Sequence, residues 1–135
     1  MNDLNPIIEI MGAKWVRGAC GPKEFDCWGL ACWVQNKLFG RKVALEPNPP
    51  EALRDLIKFV RTHNGRKQWR LVESPRHGAM VEMAHEEHPF HFGVYLNIDG
   101  GGILHSLEGI GVAFDPVVAL RASGWGRIKY YEWTG

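Results

Sequence analysis

The sequence predicts an α+β fold, with N-terminal helices packed on a mainly antiparallel sheet of five to six strands. Three observations carry this. Helical periodicity is confined to the first half of the chain. After Arg66 the texture turns to short strand-like segments punctuated by glycine and proline turns. Helices followed by a run of strands belong to α+β architecture, whereas a doubly wound nucleotide fold alternates them and would carry a GxGxxG or Walker A pattern, neither of which is present.

The first helical pattern runs over Cys27–Phe39, with Leu30, Ala31, Val34 and Leu38 at helical spacing. Asp26 reads as its N-cap and Gly40 as its stop. Glu46-Pro47-Asn48-Pro49-Pro50 forbids helix and separates this pattern from a second, at residues 51–63. There Leu53, Leu56, Ile57 and Val60 make one apolar stripe, closed by Asn64-Gly65. Strands are expected near residues 69–73, 79–84, 91–98, 103–107, 111–114 and 127–133. Asp115-Pro116 reads as the N-cap and first turn of a short helix ending near Ala122.

Composition narrows the function classes. A chain of 135 residues holds one domain with one modest core. Sixteen basic against fifteen acidic residues leave a formal charge of +1, so the footprint of a nucleic-acid binder is absent. No apolar run reaches the roughly 18 residues of a membrane span. Asp3, Glu9 and Lys14 interrupt any signal-peptide core. Cys20, Cys27 and Cys32 cannot all pair within the chain and form no CxxC, which argues against a disulfide scaffold or a zinc site.

Cys27 carries the chemical argument. It falls in the first turn of a helix, where unpaired backbone N–H groups and the positive end of the helix dipole gather. Both favour thiolate over thiol, so a thiol titrating below its free value is expected. The same N–H groups can hold the oxyanion formed when sulfur attacks a carbonyl. Asp26 opposes this if its charge faces the sulfur; it is expected to cap the helix instead. The competing reading of Cys27 is a small buried core residue, the commoner fate of free cysteine. Cys32 reads as core and Cys20 as an exposed loop residue.

A cysteine nucleophile needs a base, and the base an orienting partner. His63 ends the second helical pattern and His77 sits in a turn. His91 opens the most strand-like segment, where alternation sets Phe92, Val94 and Leu96 on one face and His91, Gly93 and Tyr95 on the other. Gly93 leaves room beside His91 for a substrate or a neighbouring side chain. His105 follows on the next strand, so antiparallel pairing can bring the two imidazoles together. Each alone reads as a structural histidine; with Cys27 they outline a Cys–His–His constellation. The run from His85 through His88 to His91 is rich in ligand types, but Pro89 argues against the helix that would align them, and no metal is expected.

Five segments resemble, in order and spacing, the NlpC/P60 cysteine peptidases over about residues 10 to 133. They are Trp15-Val16-Arg17-Gly18, Phe25-Asp26-Cys27-Trp28-Gly29-Leu30, Ser74-Pro75 through Gly78-Ala79-Met80-Val81, His91-Phe92-Gly93-Val94-Tyr95-Leu96 and Ile103-Leu104-His105-Ser106. The resemblance implies a papain-like fold and cleavage of peptide bonds in bacterial cell-wall stem peptides. It implies Cys27 as nucleophile, His91 as general base and His105 as its orienting partner, with Trp15, Asp26 and Trp28 in the substrate and oxyanion vicinity. Trp15 stands where many members carry tyrosine, and Trp28 where serine is usual. Acyl transfer through a thioester is implied, with no cofactor.

The Asp-Cys-Trp-Gly-Leu form resembles the subgroup of phage tail-assembly and tail-tip peptidases. Implied partners are peptidoglycan stem peptides and other tail-tip proteins, without nucleic acid. With no signal-like segment, the chain is expected to be made in the bacterial cytoplasm, built into a phage or phage-like tail, and to act in the cell wall. Two other readings stand beside this one: a structural tail-tip or assembly protein with a vestigial site, and an acyltransferase or amidase on the same frame.

Overall fold

The computed structural model describes residues 5–43 and 69–135. The proline stretch at 46–50, the helical pattern at 51–63 and His63 lie outside the described residues. Helix α1 (Asn5–Ile10) leads into a short parallel pair, β1 (Lys14–Trp15) and β2 (Glu24–Phe25), and then into α2 (Cys27–Phe39). Strands β3 (Trp69–Val72), β4 (Met80–His85), β5 (His88–Leu96), β6 (Gly102–Leu107) and β7 (Gly111–Pro116) follow, then α3 (Val117–Ala122) and β8 (Gly126–Trp133).

Helix α2 begins and ends where its sequence dictates. The Asp26 carboxylate accepts from the Gly29 N–H at 2.6 Å and from the Gly18 N–H at 2.9 Å, capping the helix and clamping the preceding loop to it. At the other end Gly40 takes a left-handed conformation, φ 63°, and returns its N–H to the Gln35 carbonyl. Apolar residues lie nearly all round the helix, and such a helix is buried. The one buried polar side chain on it, Gln35, is satisfied: its Nε2 donates to the Gly78 carbonyl at 2.9 Å and its Oε1 accepts from Arg41 at 2.7 Å.

Six strands form one antiparallel sheet in the order β3-β8-β4-β5-β6-β7. Helix α2 packs on one face, burying Leu30 and Val34 with Phe92, Val94, Leu96 and Leu104. Each fully buried Leu or Phe stabilises the fold by roughly 1.5–3 kcal/mol, so this cluster holds the helix firmly on the sheet. On the opposite face Val81, Met83 and Ile103 pack with Leu120 and Trp125. The alternation read from residues 91–96 therefore sorts the side chains of β5 between two cores.

Two boundaries differ from expectation. Strand β5 starts at His88 because β4 and β5 form a tight hairpin that pairs His85 with His88. Asp115 does not cap a helix. It stays in β7, Pro116 takes the N-cap position of α3 without a side-chain bond, and the carboxylate is used elsewhere. Among the described residues, no helix is long and apolar enough to cross a membrane.

Candidate active site

The β5–β6 ladder runs from Leu96–Gly102 to Gly93–His105. Beyond that pair the start of α2 meets both strands. Ser106 on β6 donates its hydroxyl to the Phe25 carbonyl at 2.9 Å. On β5 the Phe92 backbone N–H points at the Cys27 sulfur, which also meets the N–H groups of Trp28 and Cys27 itself. Cys27 thus occupies the first position of α2, beside the residue that follows His91, and is 6% exposed.

His91, His105 and Asp115 form a row across three strands. Gly93 opposes His105, so His91 is the diagonal neighbour of His105 on the same sheet face. His105 opposes Ala113, so Asp115 is the next diagonal neighbour. The side chains connect accordingly. His91 Nε2 lies 2.9 Å from His105 Nδ1, and His105 Nε2 lies 2.8 Å from the Asp115 carboxylate. Gly93 makes the close approach possible: a Cβ there would sit 2.7 Å from the Leu104 carbonyl and 3.2 Å from the His105 Cβ. The room beside His91 is filled by strand β6. Trp125 covers the rings, 4.8 Å from His91 and 6.2 Å from His105 between centroids.

Burial decides the charge states. It pushes the Cys27 thiol from 9.0 up to about 12, and the nearby Asp26 charge adds to this; the three backbone N–H groups pull the other way and lose. The expectation of a thiol titrating below its free value is therefore corrected, because desolvation exceeds the helix-terminus effect. Burial also holds His91 well below 6.5, with His105 and His88 adding to the shift. His105 is lowered by burial too, against the raising effect of Asp115. Asp26 is raised by burial against its two N–H donors. The resting site thus holds a neutral thiol and neutral imidazoles at neutral pH.

A pH dependence of stability follows. A folded-state imidazole below its unfolded value of 6.5 binds fewer protons than the unfolded chain as the solution acidifies. Its stabilising effect is complete above 6.5 and is lost below it, by up to about 1.4 kcal/mol per pH unit for each ring. The Cys27 thiol has the opposite sign: stability falls as pH rises from 9.0 toward about 12. Thermal unfolding of wild type and His91→Gln at about pH 5.5 and 7.5 isolates the His91 share. A difference between the two proteins that does not change with pH would refute neutral burial of His91.

The remaining predicted residues separate clearly. The Trp28 indole is buried edge-on against Phe92, 4.9 Å between centroids, and its backbone N–H meets the sulfur. Trp15 is half-buried on β1, in register with Phe25, one residue before the Asp26 cap. Cys32 is fully buried and Cys20 exposed, as their sequence positions predict. His85 has both ring nitrogens engaged, one with the Ser123 carbonyl at 3.0 Å and one accepting from the Glu87 N–H at 3.1 Å. Among the described residues no group of three or more His, Cys, Asp or Glu side chains is disposed to hold a metal.

Sequence reasoning missed Asp115 and Trp125. The signal for Asp115 lay in the turn at residues 108–110, which sets the β6–β7 register and puts Asp115 diagonal to His105. A pocket of about 360 Å³ opens beside this row, lined by His105, Asp115, Trp125, His88, Leu107 and Leu120.

The fold places a buried cysteine at a helix start, beside the Phe92 backbone, and a hydrogen-bonded histidine pair on the antiparallel sheet. The profile of the NlpC/P60 family matches residues 12–127, and the chain belongs to that family. Its members are in general cysteine peptidases or hydrolases that act on peptidoglycan. A search of curated proteins found no match.

Proposed function

We propose that the protein is a cysteine peptidase that hydrolyses peptide bonds in the stem peptides of bacterial peptidoglycan, with Cys27 as nucleophile, His91 as general base and His105 as its orienting partner. The observation that carries this is the His91–His105 hydrogen bond, one residue from the backbone N–H that meets the sulfur of a helix-start cysteine. We read the chain as one papain-like domain, with the pocket beside His105 receiving part of the peptide.

Both partners rest neutral, so the reaction starts by general-base catalysis rather than from a preformed ion pair. His91 Nε2 is taken up by His105, and Nδ1 takes the Cys27 proton as sulfur attacks the amide carbonyl. The backbone N–H groups of Cys27 and Trp28 hold the oxyanion. The His91 imidazolium then protonates the leaving amine as the C–N bond breaks. Water, deprotonated by His91, hydrolyses the thioester and regenerates the thiol. The net change is amide plus water to acid plus amine.

The Asp-Cys-Trp-Gly-Leu motif supports a finer reading, in which the protein works as a component of a phage or phage-like tail that opens the cell wall. Deep burial of Cys27 favours a second reading, a structural tail protein with a vestigial site. Incubation with purified peptidoglycan and mass analysis of the soluble fragments separates them. Fragments with newly freed stem-peptide termini are expected, and their absence at high enzyme concentration overturns the peptidase reading.

A further inference from the structure

Asp115 lies one residue before the end of β7 with its side chain 41% exposed, yet its carboxylate oxygen lies 2.8 Å from the buried His105 ring. A carboxylate only accepts hydrogen bonds, so the hydrogen in this contact sits on His105 Nε2. A neutral imidazole carries one N–H, so His105 Nδ1 is a lone pair and accepts from His91 Nε2 at 2.9 Å. His91 in turn carries its hydrogen on Nε2 and its lone pair on Nδ1. One surface carboxylate thereby determines where the proton sits on a ring two strands away.

We propose that Asp115 is a positioning residue: acting through His105, it locks both histidines as Nε2–H tautomers and leaves Nδ1 of His91 as the basic nitrogen. Burial keeps both rings neutral, which is the condition for a tautomer to be defined at all. Trp125 packs over the His91 ring at 4.8 Å between centroids and meets the His105 ring edge-on at 6.2 Å. Without Asp115, His105 is free to carry its hydrogen on Nδ1 and donate it to His91. The His91 hydrogen then moves to Nδ1, and no lone pair remains there to take the Cys27 proton. A neutral base of the wrong tautomer has the right geometry and no function. The kinetic consequence rests on the peptidase reading; the tautomers themselves do not.

Ring ¹⁵N chemical shifts of the full-length labelled protein test this without any substrate. Wild type is expected to show a protonated Nε2 and a pyridine-like Nδ1 on both His91 and His105. In Asp115→Ala both rings should move toward mixed tautomers. With soluble peptidoglycan fragments as substrate, kcat of that variant should fall about tenfold to a hundredfold while KM changes less than about twofold. A wild-type His91 protonated at Nδ1 overturns the inference even if the variant fails to fold. So does a folded Asp115→Ala variant with unchanged tautomers and unchanged kcat. Cys27→Ala distinguishes the two failures: fragment release at the wild-type rate by that variant overturns the peptidase reading and leaves the tautomer result standing.

Discussion

Cys27→Ala is expected to reduce fragment release from peptidoglycan to background, a loss of about 10⁴-fold or more, because the proposed mechanism loses the sulfur that forms its acyl intermediate. The structural cost should be small. The thiol is buried at the start of α2, where its loss removes one small atom from a core whose larger members remain. A destabilisation of about 1 kcal/mol is expected, at the low end of buried truncations. A second signature separates loss of chemistry from loss of fold. The thiol raised to about 12 causes stability to decline above pH 9.0, so that decline should be weaker in the variant. Retention of wild-type release would show that sulfur 27 is not the nucleophile.

Gly29→Ala is expected to destabilise the protein, although helix propensity alone says the reverse. Alanine in a helix interior is favoured over glycine by about 1 kcal/mol. Here, however, an added Cβ would lie 2.2 Å from the Ala19 carbonyl oxygen and 2.9 Å from the Cys20 Cα. Both are backbone atoms, so no side-chain rotation relieves the contact. The loop cannot easily retreat either: the Asp26 N–H donates to that same Ala19 carbonyl at 2.8 Å, and the Asp26 carboxylate holds Gly18 and Gly29 together. Overpacking against fixed backbone costs about 3 kcal/mol or more, which exceeds the propensity gain. A net loss of about 2 kcal/mol corresponds to a fall in Tm of about 5–10 °C. An unchanged or raised Tm would mean that the loop moves freely, and the clamp at the start of α2 would have to be abandoned.

Much of the frame is legible because it is written in local signals. Asp26 and Gly40 bracket α2 at the residues their backbone chemistry predicts. Each of the six strands lies within a few residues of its pattern. The alternation at residues 91–96 placed His91 and Gly93 on the face opposite Phe92, and the histidine pair followed from two adjacent strands. Asp115 was misread for a physical reason: Asp-Pro before a helical pattern is a good cap signal, and only the register of β6 on β7 shows that the carboxylate has a better partner in His105. The protonation of Cys27 was misread for another. The helix terminus is visible in sequence, but the neighbours that exclude water from the sulfur are not.

The sequence by itself determined where the helix over Cys27 starts, which residues alternate along the strands, and that the chain belongs to the NlpC/P60 family. Capping, period-two alternation and turn chemistry act over a handful of residues, so they can be read in line. Only the tertiary structure decided that sulfur 27 rests as a thiol, that the Phe92 N–H meets it, that Trp125 covers the imidazoles and that Asp115 closes the row. Desolvation and diagonal contacts across a sheet depend on which distant segments come to lie side by side, and that arrangement belongs to the folded chain as a whole.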